Sequence, residues 1–245
     1  MKIDLNCDLG EGYPNDAELM ALISSANIAC GYHAGDADTM RRCVGWAVQY
    51  GVAIGAHPGF ADRENFGRTE VLLPAQGYYD LVFEQLAVLD TAARAAGAAL
   101  HHVKPHGALY NMATRDPELA CAVAQAVLDF NPKLILYGLS GSVSISEAER
   151  LGLRTASEVF ADRGYQPDGT LMLRAQPGAL ITEPEKCRQQ VLQMVLQHTV
   201  TAVGGARAPV RPETVCLHGD GPHAVAFARA LRAFLQEYKI DIHAP

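Results

Sequence analysis

The chain has 245 residues, 49% apolar and 19% charged, a mixture that excludes intrinsic disorder and permits a substantial core without disulfide staples. Its 20 Lys and Arg against 27 Asp and Glu leave a net charge of −7. That balance argues against a generally basic nucleic-acid or anionic-membrane surface, though not against a local anion site.

At the amino terminus, Asp4, Asn6 and Asp8 interrupt MKIDLNCDLGEG before an apolar signal-peptide core can form. No later apolar run is long enough to span a bilayer, so the expected compartment is the cytoplasm. Short apolar runs suited to strands follow at 3–7, 27–30, 52–56, 98–103, 133–137, 153–157 and 214–218. Longer segments with helix-start signals separate them: Asn15 three residues before Glu18, Asp116 before Pro117 and Glu118, and Thr182 three residues before Glu185. Helices are predicted over 76–96, 119–130 and 191–200, and Gly51 and Gly97 are placed to end helices in a left-handed turn.

This alternation predicts an α/β fold of seven strand-and-helix units, either an incomplete relative of the eight-unit barrel or an open doubly wound sheet. Polar residues at successive strand ends favour the closed form, because a barrel gathers all those ends around one mouth. No linker-like stretch divides the chain, so 1–245 is expected as one domain with 239–245 as a tail. Residues 138–182 are the least regular and are expected to supply a hairpin, a side helix or a cover for the site.

Alternation in the first strand puts Asp4, Asn6 and Asp8 on one face, and Asp8 at the exit can ligate a cation, accept a proton or orient an imidazole. Glu11 can act similarly from the following turn. NIACGYHAGD supplies His33 as ligand or proton carrier and Asp36 as its orienter or as a helix cap. GAHPGFADRENFGR adds His57 for proton transfer, with Arg63 and Arg68 to grip a carboxylate or acyl phosphate or to lock Asp62, Glu64 and Glu70. In HHVKPHGALYN, the rigid Pro105 separates Lys104, suited to developing negative charge, from His106, suited to acid, base or ligand work. SEVFADRGY contributes Glu158, Asp162 and Arg163, and CLHGDGPHA contributes His218 and Asp220.

Asp8, His33, His57, His106 and His218 are therefore the candidate metal ligands, although no HxxxH helix pair specifies zinc. Ser140, Ser142 and Cys30 lack the G-x-S-x-G elbow of a serine hydrolase, and the six cysteines contain no CxxC pair. Neither a G-x-x-x-x-G-K-[ST] phosphate loop nor a G-x-G-x-x-G dinucleotide fingerprint is present, so ATP binding within this chain is not visible.

Taken in order, DLNCDLGEG, NIACGYHAGD, GAHPGFADRENFGR, HHVKPHGALYN, EVFADRGY and CLHGDGP cover residues 4–222 and resemble the LamB/YcsF family, the A-component family of 5-oxoprolinase. The resemblance implies a seven-unit (β/α) barrel similar to the glycoside hydrolase and deacetylase group. It further implies one component of a bacterial ATP-dependent 5-oxoprolinase that opens L-5-oxoproline to L-glutamate with subunits B and C. ATP would be handled by those partners, and the substrate would be the lactam or its phosphorylated form. Neither nucleic acid nor membrane is implied as a partner.

On that basis Asp8, His57, Lys104, His106 and Asp220 are the expected catalytic residues, and His33, Arg63, Arg68, Asp162, Arg163 and His218 the expected substrate-binding residues. Two other classes fit the residues: a metal-dependent C–N hydrolase or polysaccharide deacetylase using Asp8 and two of the histidines, and a noncatalytic scaffold subunit.

Overall fold

A computed structural model describes residues 1–218 and 224–245. In β1 (Lys2–Leu9), Ile3, Leu5, Cys7 and Leu9 point into an apolar layer, while Asp4 and Asn6 point the other way and are just as buried. A strand enclosed on both faces is what a parallel sheet covered by helices requires. The chain continues through α1 (Asp16–Met20), β2 (Ser25–Ala29), α2 (Ala37–Tyr50), β3 (Ala53–His57), α3 (Ala75–Ala95), β4 (His102–Val103), α4 (Gly107–Ala113), α5 (Pro117–Phe130) and β5 (Ile135–Leu139). It then passes through α6 (Val143–Arg150), β6 (Arg154–Phe160), α7 (Pro184–Gln197), β7 (Thr199–Thr201), β8 (Arg207–Pro209), β9 (Thr214–Leu217), α8 (Ala224–Glu237) and β10 (Asp241–Ile242).

Seven parallel strands close a ring in the order β1, β2, β3, β4, β5, β6, β9 and back to β1. The register sets Asn6 beside Ser25 on one side of β1 and Asp4 beside Thr214 on the other. The closed reading is thus the correct one, and each of the seven expected strands falls on a barrel strand. β7 and β8 form a separate antiparallel pair.

Helices cover the ring through stripes of small and branched residues. α2 buries Met40, Cys43, Val44 and Ala47, and α5 buries Leu119, Ala120, Val123, Ala124 and Val127, at the spacing of one helical face. Asp36 and Asp116 cap these two helices by accepting from backbone N–H groups of their first turns. Gly51 closes α2 at φ 67°. Each large aliphatic side chain fully buried in this layer contributes roughly 1.5–3 kcal/mol.

The barrel interior is mostly polar. Asp4 accepts hydrogen bonds from Ser24 Oγ (2.6 Å), Ser25 Oγ (2.8 Å) and Thr214 Oγ1 (2.6 Å). One layer up, Asn6 donates to Glu158 Oε1 (3.0 Å) and Thr214 Oγ1 (2.6 Å), and its oxygen accepts from Asn27 (2.8 Å). Ile135, Tyr137 and Ala156 form a small apolar cluster separate from the main core.

Several boundaries differ from those expected. The expected strand 98–103 is reduced to His102–Val103. Thr182 does not cap α7: Glu183 occupies that position without a side-chain cap, and the helix begins at Pro184. It stops at Gln197 because His198 turns left-handed (φ 52°) and the following residues pair with β8, so the expected 191–200 helix ends early. Residues 138–182 hold α6 and β6, then an irregular stretch with isolated bridges Arg163 to Leu180 and Tyr165 to Leu171. The expected tail carries β10, which pairs with Lys2 and Ile3 behind a buried Ile240. Among the described residues, no helix is long and apolar enough to cross a membrane.

Candidate active site

Because all seven strands run the same way, their carboxyl ends deliver polar side chains to one mouth. β1 and its turn bring Asp8 and Glu11, the loop after β2 brings His33, β3 ends on His57, and Lys104 and His106 follow β4. A cavity of about 610 Å³ opens there, lined by Asp8, Glu11, His57, Lys104, His106 and His218 among others. That volume lies within the usual range of small-molecule sites.

Glu11 is the centre of one cluster. Its Oε1 lies 3.2 Å from His33 Nε2, 3.2 Å from His106 Nδ1 and 3.6 Å from His57 Nε2. His106 Nδ1 and His57 Nε2 are 3.0 Å apart. The far nitrogen of each of these two rings donates to a backbone carbonyl: His57 Nδ1 to Lys104 O (2.6 Å) and His106 Nε2 to Phe66 O (2.8 Å). Phe66 presents that carbonyl from a left-handed conformation (φ 58°), which non-glycine residues rarely adopt.

The rings of His33 and His106 stack at 3.7 Å between centroids, and the next loop must come close to them. A Cβ at Gly59 would lie 2.8 Å from His33 Nδ1, and one at Gly67 would lie 2.8 Å from His33 Cβ. Gly67 also has φ 65°, so glycine is required there twice over.

Lys104 is the centre of a second cluster. Its Nζ donates to Asp8 Oδ1 (2.8 Å), Asn6 Oδ1 (3.3 Å) and Cys216 Sγ (3.1 Å), and pairs with Glu158 Oε1 at 2.9 Å. Asn27 adds a second donor to Asp8 Oδ1 at 2.8 Å, and Asp8 Oδ2 lies 3.4 Å from His57 Nε2. The two clusters therefore meet between Asp8 and His57.

Charge states follow from these contacts. Burial alone would push the Asp8 carboxyl up, but the charges of His57 and Lys104 hold it well below the ordinary carboxylate range. For Glu11, hydrogen bonds from His106 and His33 likewise outweigh burial and lower it. Burial would lower Lys104, yet Asp8, Cys216 and Glu158 raise it well above its usual value. Desolvation pushes His33 down to about 4 and also lowers His106, whereas the Asp8 charge overcomes burial at His57 and raises it.

Farther around the mouth, His218 Nδ1 donates to both oxygens of Asp162 at 2.9 Å. That contact lowers the Asp162 carboxyl despite its burial. Arg163 lines the cavity but donates to Ala179 O and Met172 O, holding the irregular cover against the barrel. Arg68 lines the outer wall, its guanidinium 4.9 Å from the Phe66 ring centre.

Other expected residues lie elsewhere. Arg63 does not line the cavity: it is exposed, donating to Gly31 O and Gly35 O (2.6 and 2.5 Å) and so tying two loops together. Asp36 serves as a helix cap. Cys30 is buried, and desolvation pushes its thiol up to about 12, which leaves no nucleophilic thiolate. Asp220 lies outside the described residues.

Of the expected metal candidates, His33, His57 and His106 come together with Glu11, whereas Asp8 and His218 group with Cys216. Sequence reasoning places Glu11 in a flexible turn and leaves it out of the central set. It also passes over Asn27, Tyr110 and Arg174. Strand alternation from Asn27 carries a readable signal, but nothing in LMLRAQPG marks Arg174 as a residue of the cavity wall.

The fold and the site define a closed parallel (β/α) barrel with a buried imidazole–carboxylate cluster at its mouth. The LamB/YcsF family model matches residues 3–245, and the chain belongs to that family. It is 44% identical to a lactam utilization protein from Thermus thermophilus, covering 100% of both chains at a TM-score of 0.94. A putative cellobiose-phosphate cleavage protein from Enterococcus faecalis shares the fold at 12% identity and TM-score 0.55, with 98% of this chain and 96% of that one covered.

Proposed function

We propose that this chain is the lactam-opening component of a cytoplasmic ATP-dependent 5-oxoprolinase, converting L-5-oxoproline or its phosphorylated form to L-glutamate with partner subunits B and C. The observation that carries this reading is the mouth itself, where imidazoles and carboxylates suited to proton transfer adjoin a tightly held Lys104. Membership of the LamB/YcsF family and likeness to a lactam utilization protein support a lactam as the substrate class.

The reaction adds water to the lactam carbonyl, breaks the ring C–N bond and delivers a proton to the departing nitrogen, leaving a carboxylate and an amine. ATP, held by the partner subunits, would activate the carbonyl by phosphorylating its oxygen, and that phosphate would leave once water has added to the carbon. Within this chain, His57 and His106 carry the proton. Asp8 orients His57 across 3.4 Å. Lys104 acts chiefly as a positioning residue, because Asp8, Glu158 and Asn6 already engage its ammonium. Arg68 and Arg174 in the cavity wall offer the guanidinium chemistry that recognises carboxylate or phosphate.

The test is L-glutamate formation from L-5-oxoproline by the purified chain with and without matched subunits B and C, with ATP hydrolysis followed in parallel. Product is expected only in the complete mixture, and His57→Ala and His106→Ala are each expected to reduce it by about 10²-fold or more. Full turnover in both variants would remove these assignments. Active partners that do not need this chain would overturn the reading and favour a deacetylase or scaffold.

A further inference from the structure

We propose that Glu11, His57, His106 and His33 form a binding site for one first-row divalent cation of the zinc class. Spacing supports it first. Ligand atoms about 2.0–2.1 Å from a tetrahedral zinc lie roughly 3.3–3.5 Å from one another. Four of the six edges here are 3.0, 3.2, 3.2 and 3.6 Å, and the two between His33 and the other imidazoles are at most 4.8 Å.

The direction of the lone pairs supports it independently. A carbonyl oxygen only accepts, so His57 Nδ1 carries the hydrogen that faces Lys104 O, and His106 Nε2 carries the one that faces Phe66 O. In the cation-free site these two rings' other nitrogens carry hydrogens shared with Asp8 and Glu11; with both rings neutral, as metal ligation needs, His57 Nε2 and His106 Nδ1 are bare and face each other at 3.0 Å beside an oxygen of the Glu11 carboxylate. Three acceptors converging on one point repel unless something positive lies between them. Fixing the tautomer through a backbone carbonyl is also how proteins orient metal-bound imidazoles.

Third, the donor set of three imidazoles and one carboxylate suits zinc and neighbouring transition ions better than calcium or magnesium, which take mainly oxygen ligands. The site is enclosed: His33 and His57 are each 1% exposed, and His106 is 6% exposed. His33 is the weakest ligand: its ring lies parallel to that of His106 at 3.7 Å, so its lone pair meets the same ion only if the ring turns, and among the described residues no protein partner bonds its Nδ1. Asp8 is engaged by Lys104 and Asn27, and so belongs to the neighbouring cluster. A cation here would take up the free lone pairs of His57 and His106, so that in a loaded chain these rings would hold the ion instead of carrying the proton, and it would polarise a carbonyl or a water molecule at the cavity wall.

The cation site rests on side-chain geometry and does not depend on the lactam reading. The chelator-stripped chain is dialysed against Zn²⁺ and its bound metal measured by mass spectrometry. A parallel sample is loaded with Co²⁺ and read by its visible absorption. About one equivalent of zinc and an intense tetrahedral cobalt band are expected.

Glu11→Gln and His57→Gln are each expected to weaken zinc binding by 10-fold or more, His33→Gln by less, while His218→Gln retains it. Circular dichroism confirms that each variant is folded. Wild-type chain that takes up no stoichiometric zinc or cobalt would overturn the proposal and leave a shared proton between the imidazoles. Equal affinity in a folded Glu11→Gln/His106→Gln double variant would overturn it as well. Metal binding without glutamate formation would leave this site standing and count against the lactam reading only.

Discussion

Asp4 and Asp8 occupy the same face of β1, four residues apart, and the barrel treats their charges in opposite ways. Asp4 lies deep in the interior among the hydroxyls of Ser24, Ser25 and Thr214, and burial raises its carboxyl although all three donate to it. Asp8 sits at the mouth against Lys104 and His57, whose charges more than offset burial and hold it ionised. Neutral donors satisfy a buried carboxylate without making it easy to ionise; opposite charges do both. The deep carboxylate accordingly fastens three strands together, while the shallow one connects Lys104 to the imidazoles that face the cavity.

The largest expected effect comes from removing the cation that separates these two regimes. Lys104→Met leaves Asp8 and Glu158 buried without their common partner, which should cost about 3–5 kcal/mol in urea unfolding as well as turnover. A loss below about 1 kcal/mol would mean that the two carboxylates do not depend on Lys104, and the contrast with Asp4 would collapse.

A smaller effect is expected at Gly55 in β3, whose register partner Asn27 pairs in turn with Asp8. A Cβ at Gly55 would come within 2.0 Å of His102 Nε2, and that ring has little room to retreat, stacked on Tyr137 at 4.1 Å and bonded to Asn27 Oδ1 at 2.8 Å. Gly55→Ala is therefore expected to destabilise by about 1–3 kcal/mol, measured by the same unfolding assay. An unchanged midpoint would show that the interior can repack, which a tightly bonded polar lumen should not allow.

The smallest effect tests Asp4 through pH. Its folded value is raised above the unfolded 3.8, so the stability it contributes is fully present below pH 3.8 and is lost as pH rises through the folded value. The stability of the wild type relative to Asp4→Asn should therefore fall on going from acid to neutral pH, by at most about 1.4 kcal/mol per pH unit. Unfolding free energies of both proteins across that range give the slope. A slope of opposite sign would place Asp4 with Asp8 and erase the distinction between the two regions.

How much of the molecule is legible in its sequence depends on range. The seven strands and the polar face of β1 are readable because alternation is a local property, and the caps at Asp36 and Asp116 are readable because a cap acts within one turn. Thr182 fails as a cap because the chain enters α7 through Glu183 and Pro184 instead. Arg63 carries the right chemistry for an anion, but its reach to Gly31 and Gly35 depends on two loops that only the fold brings together.

By itself, the sequence determined the class of fold and the residue types at the strand ends, since both follow from periodicity and from patterns a few residues long. The resemblance of its six ordered blocks pointed to the family. Tertiary structure alone decided which of those residues meet. Closure of the ring carries Glu11 to three imidazoles from three other strand ends and gives Lys104 to Asp8 and Glu158, 150 positions apart in the chain. The physical reason is that a strand's pattern records which face is buried, whereas the partner across a barrel is set by the register of the whole ring.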